Sequence, residues 1–180
     1  MLRRSFRIDD AEVTYAYTDE HGEVLYKIAR FVPQTFRPFV PSPDGKWWVM
    51  GLPKKTRRVL YQLPEVLRVR EAGGTIYLVE GEKDADTVNR VPVAEDANAI
   101  ATTRAGGVLG WKDYEAGYLD TLRGAAMVVI VRDRDGEDPD NPKNSYTGQR
   151  LASHLDGVLK PIVADVHVAE AVKGTDRNAK

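Results

Sequence analysis

Thr75-Ile76-Tyr77-Leu78-Val79-Glu80-Gly81-Glu82-Lys83-Asp84 reads as a buried strand that runs straight into a glycine and a group of charges. The apolar run is too short for a helix and rich in strand-forming side chains, so it fits a parallel strand covered on both faces. A second stretch repeats the design. Met127-Val128-Val129-Ile130-Val131 is followed by Arg132 and then Asp133-Arg134-Asp135. In open α/β sheets the crevice at the carboxyl ends of the strands holds the ligand, and both stretches deliver carboxylates there.

Around these two stretches, strand and helix patterns alternate. Strands are expected at Thr75 to Val79, Ala97 to Thr103, Ala126 to Val131 and Pro161 to Val168. Helices are expected near Asp84 to Arg90, Trp111 to Arg123 and Thr147 to Leu159, which predicts about four mostly parallel strands with flanking helices. Before Gly73-Gly74 the rhythm differs. Val13, Tyr15 and Tyr17 alternate up to a turn at Asp19-Glu20-His21-Gly22, and Val24, Tyr26 and Ile28 continue beyond it, as in a hairpin. A Pro/Gly/Asp stretch from Pro38 to Gly45 breaks the pattern ahead of a further strand at Lys46 to Met50. A short helix from Leu63 to Glu71 opens with Pro64 and stops at the paired glycines. The expected division is a small β-rich unit over 1–73, an α/β unit over 74–170 and a loose tail over 171–180.

Composition narrows the chemistry. The 180 residues include no cysteine, which excludes disulfides, thiolate zinc sites and cysteine nucleophiles. Net charge is −1, but basic residues gather in the first 70, so that segment has a charge character of its own. No run is apolar enough to span a bilayer and Met1 to Arg7 lacks a signal-peptide core, so the expectation is a soluble cytoplasmic protein without a membrane partner.

Carboxylates brought together repel one another unless a cation compensates, and hard oxygen donors suit Mg²⁺ or Mn²⁺ shared with phosphate oxygens. Read singly, Glu80 can equally cap the following helix, and Asp133 and Asp135 can equally begin a turn. An EF-hand loop starting at Asp133 is excluded, because Asp138 stands where that loop needs glycine.

Glu80, Gly81, Asp84, Asp133 and Asp135, each set placed after a strand and in this order, resemble the Toprim domain. That domain is shared by bacterial-type DNA primases, type IA and type II topoisomerases, OLD-family nucleases and small ribonucleases. The run Val79 to Asp86 is most similar to phage and plasmid primase-type members, and the segment Arg58 to Glu65 extends the likeness forward. The resemblance implies a Toprim-like Rossmannoid fold in which Glu80, Asp133 and Asp135 are catalytic and hold Mg²⁺ or Mn²⁺. It also implies contact of Gly81 and Lys83 with nucleotide phosphate, and an orienting role for Asp84. Lys83 can instead pair with Asp86 or Glu82. The long acidic loop from Gly136 to Asn144 departs from the primase-like pattern.

Lys46, Trp47, Trp48, Lys54, Lys55, Arg57 and Arg58 combine cations with aromatic faces, as single-strand binding grooves do. The competing reading buries one tryptophan and leaves the cations on a solvated loop. Arg104-Ala105-Gly106-Gly107 to Gly110 is either a phosphate-approaching turn or an ordinary strand-to-helix turn. His21, His154 and His167 have no ligand spacing.

The expectation is therefore a primase-type nucleotidyltransferase of DNA replication that uses single-stranded DNA and nucleoside triphosphates, phage-related and then in the host cytoplasm. Without a cysteine zinc module of its own, it would work with a helicase, a zinc-module chain or another primase subunit. A Toprim nuclease of OLD type and a noncatalytic nucleic-acid-binding subunit of a replication complex are the alternatives.

Overall fold

The computed structural model describes residues 6–90, 98–106, 115–132 and 146–170. Its front part is an antiparallel sheet, β1 (Val13–Thr18), β2 (Val24–Phe31), β3 (Thr35–Pro41) and β4 (Trp48–Met50), in the order β1-β2-β3-β4. The expected hairpin is present: Tyr15 lies opposite Ile28 and Tyr17 opposite Tyr26. Asp19 closes its turn by accepting from the backbone N–H groups of His21 and Glu23.

The strand β3 runs through Pro38, where the sequence pattern was expected to break. Pro38 lies opposite Ile28, and its carbonyl accepts from Gly51 N at 2.8 Å, just past the end of β4. The N–H that proline lacks belongs at this same margin, where the ladder is already ending, so little pairing is lost. The strand β4 is shorter than expected because Lys46 and Trp47 belong to a tight turn. Ser42 N donates to Trp47 O at 2.8 Å, and Trp47 N donates to Ser42 Oγ at 3.1 Å.

The helix α1 (Leu63–Glu71) follows, then the second sheet: β5 (Thr75–Leu78), α2 (Glu82–Arg90), β6 (Ala99–Thr102), α3 (Glu115–Leu122), β7 (Met127–Arg132), α4 (Thr147–Leu159) and β8 (Asp165–Glu170). All three pairings are parallel, in the order β6-β5-β7-β8. α1 and α4 have the expected limits. Ala97, Trp111 and the rest of 111–114 lie outside the described residues. β8 starts later than expected: Ile162 and Val163 bond back to Leu159 in a turn after α4, and Val163 enters the core.

One core lies between the parallel sheet and its helices, with Ile76, Leu78, Val128 and Ile130 against Val66, Val69, Leu122 and Leu155. α1, although it precedes Gly73-Gly74, contributes to this core. A second core joins the two sheets, bringing Tyr15, Tyr17, Tyr26 and Ile28 together with Val79, Ala85 and Ala101. Between them runs the segment around Leu60, which forms an antiparallel bridge to Arg104, while Tyr61 N donates to Thr103 O at 2.8 Å.

Candidate functional site

Chain direction through the parallel sheet defines where a ligand fits. From β5 the chain moves to β6 on one side, then crosses to β7 on the other, so the strand order reverses at β5. A crevice opens between β5 and β7 at their carboxyl ends, the usual ligand position in such sheets. Leu78 lies opposite Ile130, and continuing that register brings Glu80 level with Arg132. Neighbouring strands are about 5 Å apart. Glu80, Thr103, Arg104 and Arg132 supply the polar lining of this cleft, over a floor that includes Leu78 and Ile130.

The backbone at Glu80 is held from β6. Val79 N donates to Thr102 O at 2.9 Å, and Thr103 Oγ1 donates to Glu80 O at 3.0 Å. The Glu80 side chain is half-buried. Arg104 is only 4% exposed. Burial pulls its pKa down to about 10, against the opposing influence of the Tyr118, Tyr17 and Glu80 side chains, so it remains a cation at neutral pH. Arg132 pairs with Glu170 at 2.6 Å across β7 and β8. Sequence reasoning treated Arg104 as part of a glycine turn and passed over Arg132. The signal that could have found both is their place at the carboxyl ends of strands, the same criterion that picked out Glu80.

The motif after β5 divides by helical phase. Lys83 and Asp84 are exposed, and Asp84 N donates to Gly81 O at 3.1 Å. Glu82 turns inward, is 8% exposed and accepts from Tyr17 Oη at 2.7 Å. Burial raises its carboxyl above the ordinary value, and the Tyr17 hydrogen bond pulls it partly back. Asp86 accepts from Tyr61 Oη at 3.0 Å and from Gln62 Nε2 at 3.3 Å. The two acidic side chains considered as partners for Lys83 are thus bonded elsewhere. Gly81 does not have a left-handed φ, and a methyl group there would meet only Asp84 Oδ2, at 3.4 Å.

Asp133 and Asp135 lie outside the described residues, as do the loop Gly136 to Asn144 and Gly107 to Gly110. Among the described residues, no group of three or more His, Cys, Asp or Glu converges as a metal site. The last described residue of β7, Arg132, immediately precedes Asp133 in the chain.

The basic and aromatic set is separated by its contacts. Trp47 is 58% exposed, and Lys46, Lys54 and Lys55 are exposed as well. Trp48 packs against the outer cluster of Ala29, Phe31 and Phe39, with Lys27 Nζ 4.4 Å from its ring centre. Arg57 forms a surface ion pair with Glu20 at 2.6 Å. Arg58 donates to the carbonyls of Thr56, Leu52 and Pro53, and so ties its own loop together.

No family model matches the sequence, and no curated protein matches it. A solved structure, the catalytic core of DnaG, shares the fold with a TM-score of 0.51 at 16% identity. The fold is DnaG-like. The likeness covers 91% of this chain and 46% of the DnaG core chain, so this chain spans less than half the length of that core. No helix among the described residues is long and apolar enough to cross a membrane.

Proposed function

We propose that the chain is a primase-type Toprim nucleotidyltransferase that joins nucleotides on single-stranded DNA. The observation that carries the reading is the position of Glu80 at the β5/β7 switch point, level with the strand end that leads into Asp133-Arg134-Asp135. The DnaG-like fold supports it, because a primase-type Toprim chain is expected to have such a fold.

Glu80, Asp133 and Asp135 offer only carboxylate oxygens, and the chain has no cysteine, so the donor set fits a hard divalent cation, Mg²⁺ or Mn²⁺. When bound, such a cation supplies charge neutralisation at the phosphate and lowers the pKa of the attacking hydroxyl. The protein's own groups do the rest. Glu80 is aimed by a backbone fixed at Val79 and by Thr103. Arg104 places a desolvated positive charge beside it, where phosphate charge is stabilised more than in water. Gly81 lets the backbone approach phosphate closely, and exposed Lys83 adds a cation at the first turn of α2. The 3′-oxygen attacks the α-phosphorus and pyrophosphate leaves. Trp47 provides a face for base stacking, while Lys46, Lys54 and Lys55 follow the phosphates of the template.

The test is to incubate single-stranded DNA with labelled ribonucleotides or deoxynucleotides and Mg²⁺ or Mn²⁺, comparing wild type with Glu80→Gln and Asp133→Asn. New oligonucleotides made only by wild type are expected. Metal-dependent shortening of the DNA would assign a nuclease instead, and equal activity in both variants would remove the site.

A further inference from the structure

The side of α2 that packs on the molecule buries Ala85 and part of Val88, and beside them it carries three polar side chains, of which Glu82 is buried, Asp86 half-buried and Asn89 exposed. Glu82, Asp86 and Asn89 lie along one side of the helix at i, i+4 and i+7, and together they bond to three other segments of the chain. Glu82 meets Tyr17 on β1, Asp86 meets Tyr61 and Gln62 ahead of α1, and Asn89 exchanges two hydrogen bonds with the backbone of Ala101 on β6, at 2.9 and 2.7 Å. Tyr17 is itself immobilised. It is fully buried, stacked on Tyr26 with ring centres 4.6 Å apart, and tilted against Tyr61 at 5.4 Å.

Apolar contacts are less directional than hydrogen bonds, which specify distance and direction. A buried polar pair is also a poor source of stability compared with an apolar pair of the same volume. The Tyr17–Glu82 bond therefore calls for another explanation. Glu82 is the first residue of α2 and stands two residues after Glu80, so fixing Glu82 fixes the rotation of the turn that carries Glu80.

The geometry points to Tyr17 and Glu82 as positioning residues that hold the Glu80-Gly81 turn in its metal-binding orientation from the front sheet. This inference rests on the assignment of Glu80 as a metal-holding carboxylate. The front sheet is then part of the metal site's support as well as a surface for nucleic acid.

The experiment measures Mn²⁺ affinity by the electron paramagnetic resonance of free Mn²⁺, together with melting temperature, on the full chain. Tyr17→Phe is expected to weaken Mn²⁺ binding by about 10-fold, the usual scale for losing a group that orients a ligand. Glu82→Gln keeps an oxygen acceptor for the Tyr17 hydroxyl and is expected to retain near-normal affinity. Tyr17→Phe combined with Glu82→Met replaces the polar pair by an apolar one. Its melting temperature should return to the wild-type value or exceed it while Mn²⁺ affinity stays about 10-fold weak. Recovery of affinity together with stability in that double variant would overturn the inference, leaving the pair a purely structural role. Unchanged affinity in Tyr17→Phe would do the same, provided Glu80→Gln weakens binding. Unchanged binding in Glu80→Gln would instead remove the metal assignment itself.

Discussion

Substituting Gly81 by alanine separates what the fold requires at this position from what the chemistry requires. Glycine is indispensable where φ is left-handed or where a methyl group would collide. Neither condition holds at Gly81, where an added methyl would make one ordinary contact, 3.4 Å from Asp84 Oδ2, the end of an exposed side chain. Removing a glycine from the unfolded ensemble at a compatible position stabilises a protein by about 0.4–1 kcal/mol. For a chain of this size each kcal/mol moves the melting temperature by about 2–4 °C. Gly81→Ala is thus expected to melt at the wild-type temperature or up to about 4 °C above it. If phosphate approaches the Gly81 backbone, the same methyl group stands in its way, and primer synthesis should fall by at least about 100-fold, the scale of misplacing a reacting group by about 1 Å. Calorimetry and the primer-synthesis assay on one preparation decide the matter. Full activity in a stable Gly81→Ala protein would refute the approach of substrate to this backbone. A melting temperature well below wild type would refute the steric argument.

Gly74→Ala should behave in the opposite way: its Cβ would lie 2.0 Å from the backbone oxygen of Asn98, forcing the β5 and β6 entrances apart. A loss of about 1–3 kcal/mol in urea unfolding is expected, and an unchanged midpoint would show that the two chains are not that close. Trp47→Ala should weaken single-stranded DNA binding by about 1–3 kcal/mol in fluorescence anisotropy without affecting melting. Arg58→Ala should chiefly lower stability, because its guanidinium holds three carbonyls; equal binding losses in the two would reverse this division. Alkaline pH should unfold the protein cooperatively. Burial raises the pKa of Tyr17 and Tyr26 and pushes Tyr61 up to about 12. The folded state thus keeps protons that an unfolded tyrosine releases near its ordinary value of about 10. Stability present below that pH is lost as pH rises through the folded values, by about 1.4 kcal/mol per pH unit for each fully buried phenol. Tyrosinate absorbance that titrates completely near pH 10 with unchanged circular dichroism would contradict the buried aromatic cluster.

Much of the parallel sheet was legible because its strands are continuous apolar runs ended by glycine or charge, and α1 and α4 because Pro64 and the Thr147 segment mark their starts. Pro38 misled because its effect depends on which neighbour its missing N–H faces, and that is a property of pairing rather than of sequence. Ile162 and Val163 extended the apparent β8 because apolar side chains serve a core turn as well as a strand. Glu80 could be read from its position after β5. The inward turn of Glu82 could not, since Glu82 to Arg90 carries few apolar residues and resembles a solvated helix. Ala85 and Val88 mark the inner side of that helix, but only the facing tyrosines of a distant hairpin reveal that a carboxylate is buried beside them.

The paired hydrogen bonds between Asn89 and Ala101 also bear on self-association. β6 is an edge strand of the parallel sheet, and an uncovered edge is a template on which another chain can add a strand. A carboxamide offers one donor and one acceptor in the spacing of a peptide group, so Asn89 occupies the outward N–H and C=O of Ala101 as a neighbouring strand would. The outer edge of β6 is thus occupied twice, by the Asn89 side chain at Ala101 and by the Leu60-Tyr61 backbone just beyond it at Thr103 and Arg104, so no strand can add to it at these residues.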